Sequence, residues 1–192
     1  SWLQWVKKRL AVRQKAGAAN HSTSFEASMQ IRVLESTDWE AVRSIYAQGI
    51  ATVQATLETS PPEWEVWDKS HVRELRFVAV TDNGEVAGWT ALTPFSGRGV
   101  YAGVAEVSVY VAEAYIPNGV GDQFLQHLIV ESEANGYSAL QAGIFPENPA
   151  SIRLHEANGF RAIGFREKIG KMNDVWRNVN LLERRSKIIG IN

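Results

Sequence analysis

The stretch from Ala105 to Gly121, AEVSVYVAEAYIPNGVG, constrains the fold of this chain more than any other. Its first part is rich in β-branched and aromatic residues, which predicts a strand over Val104 to Ala112. A short loop with Pro117 follows, and Gly119 and Gly121 then open a helical pattern. This order places free backbone N–H groups at the positive end of a helix dipole, where a phosphate can bind. The two glycines can equally serve only the backbone freedom of a tight turn.

Composition restricts the classes of protein to which the chain can belong. Its 192 residues are 45% apolar and 21% charged, as expected for one globular domain with a full core. A net charge of −1 argues against a nucleic-acid partner, which requires a clustered basic surface. The absence of cysteine excludes disulfides, thiolate zinc sites and a cysteine nucleophile, and fits a cytoplasmic location. No apolar run approaches the roughly 20 residues that span a bilayer, so a membrane protein is not expected.

Residues 1–28 differ in composition from the rest of the chain. They carry five basic residues and one acidic residue, and Trp2, Trp5 and Leu10 can line one face of a short helix. Such a basic amphipathic segment can lie on a membrane or dock on a partner, although it lacks the apolar core of a secretory signal. We expect residues 1–28 to be an added or poorly packed extension, residues 29–185 to form the domain and residues 186–192 to form a C-terminal tail.

Periodicity and turn signals predict the order β-α-α-β-β-β-α-β-α-β-β. Capping boxes at Thr37–Glu40 and Ser60–Glu63 predict two helix starts, and Asp82–Gly84 predicts a hairpin turn. Asn148 before Pro149 predicts a further helix start. The predicted strands are 29–34, 76–81, 85–93, 104–112, 138–145, 160–168 and 175–182, and the predicted helices are 39–50, 61–75, 119–135 and 149–159.

These elements predict an α/β (α+β) domain with a mixed, mostly antiparallel sheet and helices on both faces. A helix separates the central strand from strand 138–145, so the two can run parallel. The carboxyl ends of neighbouring parallel strands lie on the same side of a sheet, where ligands usually bind. We therefore expect the glycine turn, Asn148 and His155 to lie near one another.

Three segments together resemble a known family. AEVSVYVAEAYIPNGVG, NPASIRLHEANGF and ATLETSPPEW are similar to segments of the GNAT superfamily of N-acetyltransferases, and within it of the phosphinothricin acetyltransferase subfamily. The resemblance covers about Met29 to Arg184. It implies the GNAT fold, acetyl-coenzyme A as the cosubstrate and transfer of its acetyl group to the primary amine of a small acceptor, with no need for a metal.

The resemblance also implies roles for individual residues. The strand at Val109 is expected to pair its backbone with the pantetheine amides, the glycine turn to bind the pyrophosphate through backbone N–H groups, and Asn148 to bind the cosubstrate through its side chain. Glu106 and His155 match the proton-transfer residues. The implied cosubstrate-binding residues are Val109, Tyr110, Val111, Pro117, Asn118, Gly119, Val120, Gly121, Asp122 and Asn148.

The expected chemistry explains why a carboxylate and an imidazole are suitable at these positions. An ammonium has no free lone pair, so a base must remove a proton before the amine attacks a thioester. Burial beside valines would raise the pKa of Glu106 and make it a stronger base, although a strand carboxylate can also be purely structural. His155 can assist deprotonation or hydrogen-bond Glu106, a backbone N–H of the central strand can stabilise the oxyanion, and Tyr110 is a conceivable acid for the thiolate.

The acceptor pocket is expected to form from two loops, with Leu57 in one and Arg98 and Tyr101 in the other. Arg98 can pair with an acceptor carboxylate, as in phosphinothricin, methionine sulfone or methionine sulfoximine, or can be a solvated loop charge. The resemblance also implies a homodimer. The chain departs from the family at Ile116 and Pro117, which bring no charge and one N–H fewer to the pyrophosphate. Two alternatives follow: a GNAT-fold regulatory or binding module with a weakened cosubstrate site, or a protein or peptide N-acetyltransferase.

Overall fold

The computed structural model describes residues 29–191, so the predicted extension of residues 1–28 lies outside the described residues. The order of strands and helices is the one predicted from the sequence. The strands are β1 (Met29–Val33), β2 (Arg76–Thr81), β3 (Val86–Pro94), β4 (Val104–Val111), β5 (Ala139–Ile144), β6 (Arg161–Met172) and β7 (Val175–Arg185). The helices are α1 (Trp39–Ala51), α2 (Trp64–Ser70), α3 (Val120–Ala134) and α4 (Pro149–Ala157).

All seven strands form one sheet in the order β1-β2-β3-β4-β5-β7-β6. Neighbouring strands are antiparallel except β4 and β5, which are parallel as predicted. Alternate residues of β2 face opposite sides of the sheet: Phe77 packs with Leu125 and Leu128 of α3, and Val78 packs with Val42 of α1 and Trp67 of α2. Helices therefore cover both faces, and the fold class predicted from the sequence is confirmed.

Both predicted capping boxes are wrong. At α1, the Arg32 guanidinium of β1 lies 2.7 Å from Oδ1 of Asp38. The Oδ2 of Asp38 accepts a hydrogen bond from the backbone N–H of Glu35 at 2.8 Å. Glu35 and Asp38 therefore form the capping box, at the 3₁₀ turn that leads into α1 and two residues earlier than predicted, and the ion pair with Arg32 holds Asp38 in place. At α2, the residue before the helix is Glu63, and its side chain makes no capping hydrogen bond.

Helix α2 is also shorter than predicted. It ends at Ser70, and Arg73–Leu75 form a separate 3₁₀ turn. His71 is extended, with φ −112° and ψ 144°, and its Nδ1 lies 2.8 Å from the carbonyl oxygen of Trp67. The imidazole thus bonds the Trp67 carbonyl, which would accept the backbone N–H of His71 if the helix continued.

Other turn predictions are confirmed. Gly84 in the β2–β3 hairpin has φ +81°, and Gly136 after α3 has φ +84°, values that favour glycine. The side-chain Oδ1 of Asn148 accepts a hydrogen bond from the backbone N–H of Ser151 at 3.1 Å and caps α4. The final hairpin is longer than predicted, since its turn is made by Asn173 and Asp174, with φ +47° and +64°.

Residues 186–191 fold back onto the domain. The backbone N–H of Ser186 donates to the carbonyl of Ser138 at 2.8 Å, and the Arg185 guanidinium donates to the carbonyl of Gly190 at 2.6 Å. The segment expected to be a tail is thus attached at the start of β5. Within residues 29–191, no helix has the length and apolar character needed to cross a membrane.

The close packing at Gly88 of β3 gives a test of this architecture. A Cβ at this position would lie 2.6 Å from the backbone oxygen of Tyr110 and 2.9 Å from Cε2 of Phe124. We expect Gly88→Ala to lower the free energy of unfolding by about 1 to 3 kcal/mol, because α3 must move off the sheet. Gly97→Ala is the control, since a Cβ there would have no other atom within 4 Å. Equal urea midpoints for the two variants would contradict the packing described.

Candidate active site

The parallel strands β4 and β5 pair at one end and separate at the other. Their register includes only Val104 with Ala139, Ala105 with Leu140 and Glu106 with Gln141. Beyond Glu106, β4 continues to pair with β3 as far as Val111, while β5 continues to pair with β7 as far as Ile144. One backbone edge of β4, residues 107–111, is therefore left without a strand partner among residues 29–191. An extended chain that carries amides can hydrogen-bond to such an edge.

A cavity of about 640 Å³ opens where the two strands separate. This volume lies in the range of small-molecule sites. Its walls come from β4, β5, α4, the β6–β7 hairpin, α2 and the loop after α1. Of the residues proposed from the sequence, those that line it are Leu57, Glu106, Val109, Tyr110 and His155.

Glu106 lies at the point where the strands separate. It is the last residue of β4 that pairs with β5, and its side chain lines the cavity. The surrounding protein raises the pKa of this carboxyl above its usual range by desolvation, although the side chain is open to the cavity, and the positive charge of Arg166 partly opposes the rise. A carboxylate with a raised pKa binds a proton more strongly than an exposed one.

His155 lies on α4 and is 4% exposed. Its Nδ1 is 2.8 Å from the carbonyl oxygen of Ser151, one helical turn earlier. Because a carbonyl only accepts, Nδ1 carries the proton and Nε2 keeps its lone pair. Desolvation lowers the pKa of His155, so the imidazole is neutral at neutral pH. The hydrogen bond that His155 makes is thus with Ser151 and not with Glu106.

Residues at the end of β4 have different surroundings. Val109 and Tyr110 line the cavity, whereas Val111 packs with the cluster beneath α3. The Tyr110 ring stacks on Trp89 with centroids 4.6 Å apart and meets Tyr46 at 4.8 Å. Burial raises the pKa of Tyr110, so its phenol keeps the proton and can donate a hydrogen bond.

The predicted glycine turn is a 3₁₀ helix, Glu113–Asn118, that leads directly into α3. Gly119 joins the two with φ +70°, a conformation that favours glycine. Gly121 lies in a tightly packed place, since a Cβ there would lie 3.0 Å from Cδ2 of Leu154 and that side chain would have to shift slightly. Val120, between them, is buried and anchors the start of α3 to the core. The first N–H groups of α3 have no partner within the helix and are suited to an anion.

Asp122, in the first turn of α3, is held by two neighbouring amides. Its Oδ1 accepts a hydrogen bond from Asn158 at 2.9 Å, and its Oδ2 accepts one from Gln126 at 2.6 Å. Pro117 and Asn118 lie in the last turn of the 3₁₀ helix. None of the turn residues from Pro117 to Asp122 lines the cavity, so a ligand must extend from the cavity to reach them.

Asn148 connects α4 to the loop that follows α1. Besides capping α4, its Nδ2 donates to the carbonyl of Gln54 at 3.3 Å. The same loop is held by Arg177, which donates to the carbonyl of Val53 at 2.8 Å. Leu57 in this loop packs over Gly170, where a Cβ would lie 2.5 Å from the Leu57 Cδ1. The loop is thus attached to two elements that border the cavity.

Arg98 and Tyr101 do not line the cavity. They lie in the exposed segment between β3 and β4, where the Arg98 guanidinium is 5.5 Å from the centroid of the Tyr101 ring. The structure therefore separates these two proposed substrate residues from Leu57 and Glu106.

Sequence reasoning missed several residues that line the cavity. Tyr46 and Glu58 lie near the loop after α1, His71 follows α2, and Arg166 lies on β6. Local spacing gives no signal for Arg166, because the pairing order of β5, β7 and β6 brings it to the site. Tyr46 lies on α1, and part of its side chain packs against the core cluster beneath that helix.

The chain is similar to proteins of known families. The model of the acetyltransferase (GNAT) family matches residues 39–160. A protein of Bacillus subtilis named "Putative phosphinothricin acetyltransferase YwnH" is 36% identical over 160 residues, which cover 81% of this chain and 98% of that protein. An L-methionine sulfoximine/L-methionine sulfone acetyltransferase of Pseudomonas aeruginosa is 28% identical, with 81% of this chain and 94% of that protein covered.

A solved structure shares this fold. The structure titled "Structure of yncA, a putative ACETYLTRANSFERASE from Salmonella typhimurium with its cofactor Acetyl-CoA" aligns with a TM-score of 0.75 and 26% identity. The alignment covers 83% of this chain and 94% of that structure.

The protonation of His155 has a consequence for stability. Its pKa is lower in the folded protein than the ordinary 6.5, so the unfolded chain takes up the proton first as the pH falls. We expect the contribution of His155 to stability to be complete above pH 6.5 and to decrease as the pH falls from 6.5 towards the folded pKa. Urea unfolding at several pH values should show a smaller pH dependence for His155→Gln.

The pKa values of His71 and His127 are also lowered by burial, so the variant should retain part of the pH dependence. An NMR titration that places the pKa of His155 above 6.5 would contradict the buried neutral imidazole.

Proposed function

Because the chain belongs to the GNAT acetyltransferase family, we propose that it transfers an acetyl group from acetyl-coenzyme A to the primary amine of a small amino-acid-like acceptor. Phosphinothricin, methionine sulfone and methionine sulfoximine represent the acceptor class, which is the class named for the relatives. The observation that carries the proposal is the position of Glu106 in the cavity, where β4 separates from β5.

Two features of the chain fit the cosubstrate. The unpaired edge of β4 offers the backbone groups of Val109 and Val111 to the amides of pantetheine. The backbone groups of Tyr110 point to β3 instead, because those of Ala112, two residues on, bond β3. The N–H groups from Asn118 to Asp122 stand at the start of a 15-residue helix and suit the pyrophosphate. When bound there, acetyl-coenzyme A supplies an acetyl group activated as a thioester.

Four residues modify this fit. Ile116 is 63% exposed and brings no charge, and Pro117 brings no N–H, so backbone donors must hold the pyrophosphate. Hydrogen bonds from Asn158 and Gln126 hold the Asp122 carboxylate in one orientation, so its negative charge stays in a fixed position. Asn148 already bonds Ser151 and Gln54, so its proposed contact with the cosubstrate would exchange or add to these bonds.

Glu106 acts as the general base in this proposal. At neutral pH the acceptor amine is protonated, and its lone pair becomes available only when the proton leaves. Glu106 accepts that proton directly or through a water, and its raised pKa brings it closer to the working pH. The backbone N–H groups of the open β4 edge are suitably placed donors for the oxyanion that forms during attack.

His155 and Tyr110 have supporting roles. The neutral imidazole of His155 presents Nε2 as an acceptor, which can orient the acceptor amine or a water. The protonated phenol of Tyr110 can donate a hydrogen bond to the departing thiolate sulfur, although its raised pKa makes it a weak acid. Neither role needs a hydrogen bond between His155 and Glu106.

The alternatives from the sequence differ in their support. Family membership favours an enzyme over a binding module, and acetylation of a protein or peptide differs from the main proposal only in the acceptor.

A homodimer is part of this proposal and is supported by Phe165 and Trp176 of the β6–β7 hairpin, both 57% exposed. The cytoplasmic location expected from the sequence, and the division into residues 1–28, 29–185 and 186–192, also remain proposals.

The role of Glu106 can be tested with Glu106→Gln. We expect kcat to fall by roughly 10²- to 10⁴-fold with methionine sulfone as the acceptor, because the base is lost. The affinity for acetyl-coenzyme A, measured by isothermal titration, should be unchanged, and the defect should decrease at high pH, where the amine is already deprotonated.

The matched control is Glu65→Gln, which removes an exposed carboxylate of α2 outside the cavity. A Glu106→Gln variant with the rate of this control would exclude the general-base role. Acetylation of peptides and not of methionine sulfone by the unaltered protein would favour the peptide alternative.

A further inference from the structure

Arg166 of β6 faces the cavity. It pairs with Val179 of β7, and directly opposed residues of two paired strands have their side chains on the same face of the sheet. Both Val179 and Arg166 line the cavity, as this register requires.

An irregularity in β6 shapes this wall. The pairing with β7 is interrupted between Arg166 and Gly170, where Lys168 has φ +48° and its N–H donates to the Asn178 Oδ1 at 2.8 Å. In a regular strand, residues three apart point to opposite faces. Here Arg166 and Ile169 both line the cavity, because the bulge between them reverses the alternation. The bulge therefore places a cation beside an apolar side chain on one wall.

Arg166 is available to a ligand. Among the cavity-lining residues that the structure describes, it is the only arginine or lysine. Within residues 29–191 its guanidinium makes no ion pair shorter than 4.0 Å. Arg177, by contrast, donates to the Val53 carbonyl, lies 3.6 Å from Glu147 and stacks 4.2 Å above Phe145.

The charges in the cavity are arranged asymmetrically. Arg166 is close enough to Glu106 to oppose the rise in its pKa. Glu58 lies near the phenols of Tyr46 and Tyr110, where its negative charge raises their pKa values. An anionic group of a ligand is therefore attracted towards Arg166 and repelled from the part of the cavity near Glu58.

We propose that Arg166 binds the carboxylate of the acceptor and thereby selects α-amino acids over amines without a carboxylate. This inference rests on the proposed function. The amine and carboxylate of an α-amino acid are attached to the same carbon, so a carboxylate at Arg166 places the amine beside the nearby Glu106. The guanidinium offers parallel N–H donors that match the two carboxylate oxygens. Arg166 thus replaces Arg98, which lies outside the cavity, as the residue assigned to this contact.

The test compares two acceptors that differ only in the carboxylate: L-methionine sulfone and 3-(methylsulfonyl)propan-1-amine. KM and kcat are measured for both with the unaltered protein, Arg166→Gln, Arg166→Lys and the control Arg161→Gln. Arg161 lies on the same strand, does not line the cavity and forms an ion pair with Glu183 at 3.1 Å. Thermal unfolding checks that each variant is folded.

For Arg166→Gln we expect KM for methionine sulfone to rise roughly tenfold to hundredfold, while kcat and KM for the amine change little at pH values above the acidic limb of its profile. Arg166→Lys should recover part of the loss, and Arg161→Gln should behave as the unaltered protein does. Removing the positive charge should also move the acidic limb of the kcat/KM profile for the amine to higher pH, since Arg166 opposes the rise in the Glu106 pKa.

Three results would overturn the inference while leaving the proposed function intact: an equal loss with both acceptors, an increase in KM for acetyl-coenzyme A alone, or a preference of the unaltered protein for the amine. No turnover of either acceptor by the unaltered protein would overturn the proposed function and this inference together.

Discussion

The divergence of β4 from β5 is the constraint on which the rest of the structure depends. Two parallel strands in the middle of a sheet would ordinarily pair along their whole length, because an unpaired buried backbone group costs about 1 to 3 kcal/mol. Here pairing stops at Glu106 and Gln141, and each strand continues with its other neighbour. The sheet is held on both sides of the gap by antiparallel partners, so it tolerates an open edge at its centre. That edge is tolerable where water or a ligand satisfies its N–H and C=O groups.

The surroundings of the groups around this gap set their pKa values and hold them in position. Desolvation by the surrounding protein raises the pKa of Glu106 although its side chain is open to the cavity, and Arg166 opposes that rise without forming an ion pair with it. His155 is kept neutral by burial and oriented by Ser151. Asn148 and Arg177 attach the loop that carries Leu57 to the elements bordering the cavity. These are the features on which the proposed binding and deprotonation of an amino-acid acceptor depend.

Much of this architecture could be predicted from local signals. The central strand, the glycine turn and the following helix were evident from β-branched residues, Gly119 and Gly121, and the cap at Asn148 was evident from the Pro149 that follows it. The capping box predicted at Thr37 lies instead at Glu35 and Asp38, where Arg32 pairs with Asp38, and the helix predicted to start after Ser60 begins only at Trp64. Arg166 could not be predicted, since its position depends on the strand order β5-β7-β6 and on a bulge stabilised by Asn178. Arg98 lies in a loop that was expected to shape the acceptor pocket, with a solvated loop charge as the alternative, and the structure places it outside the cavity.

Hydrogen–deuterium exchange, with and without acetyl-coenzyme A, tests most directly whether acetyl-coenzyme A binds at the open edge of β4. We expect the ligand to slow exchange in peptides covering residues 107–111 and 118–123, because the edge amides and the first turn of α3 gain hydrogen-bond acceptors. Exchange in the outer strands β1 and β2 should change little. Binding of acetyl-coenzyme A without protection of either segment, or with protection confined to another part of the sheet, would contradict the assignment of this gap as the site.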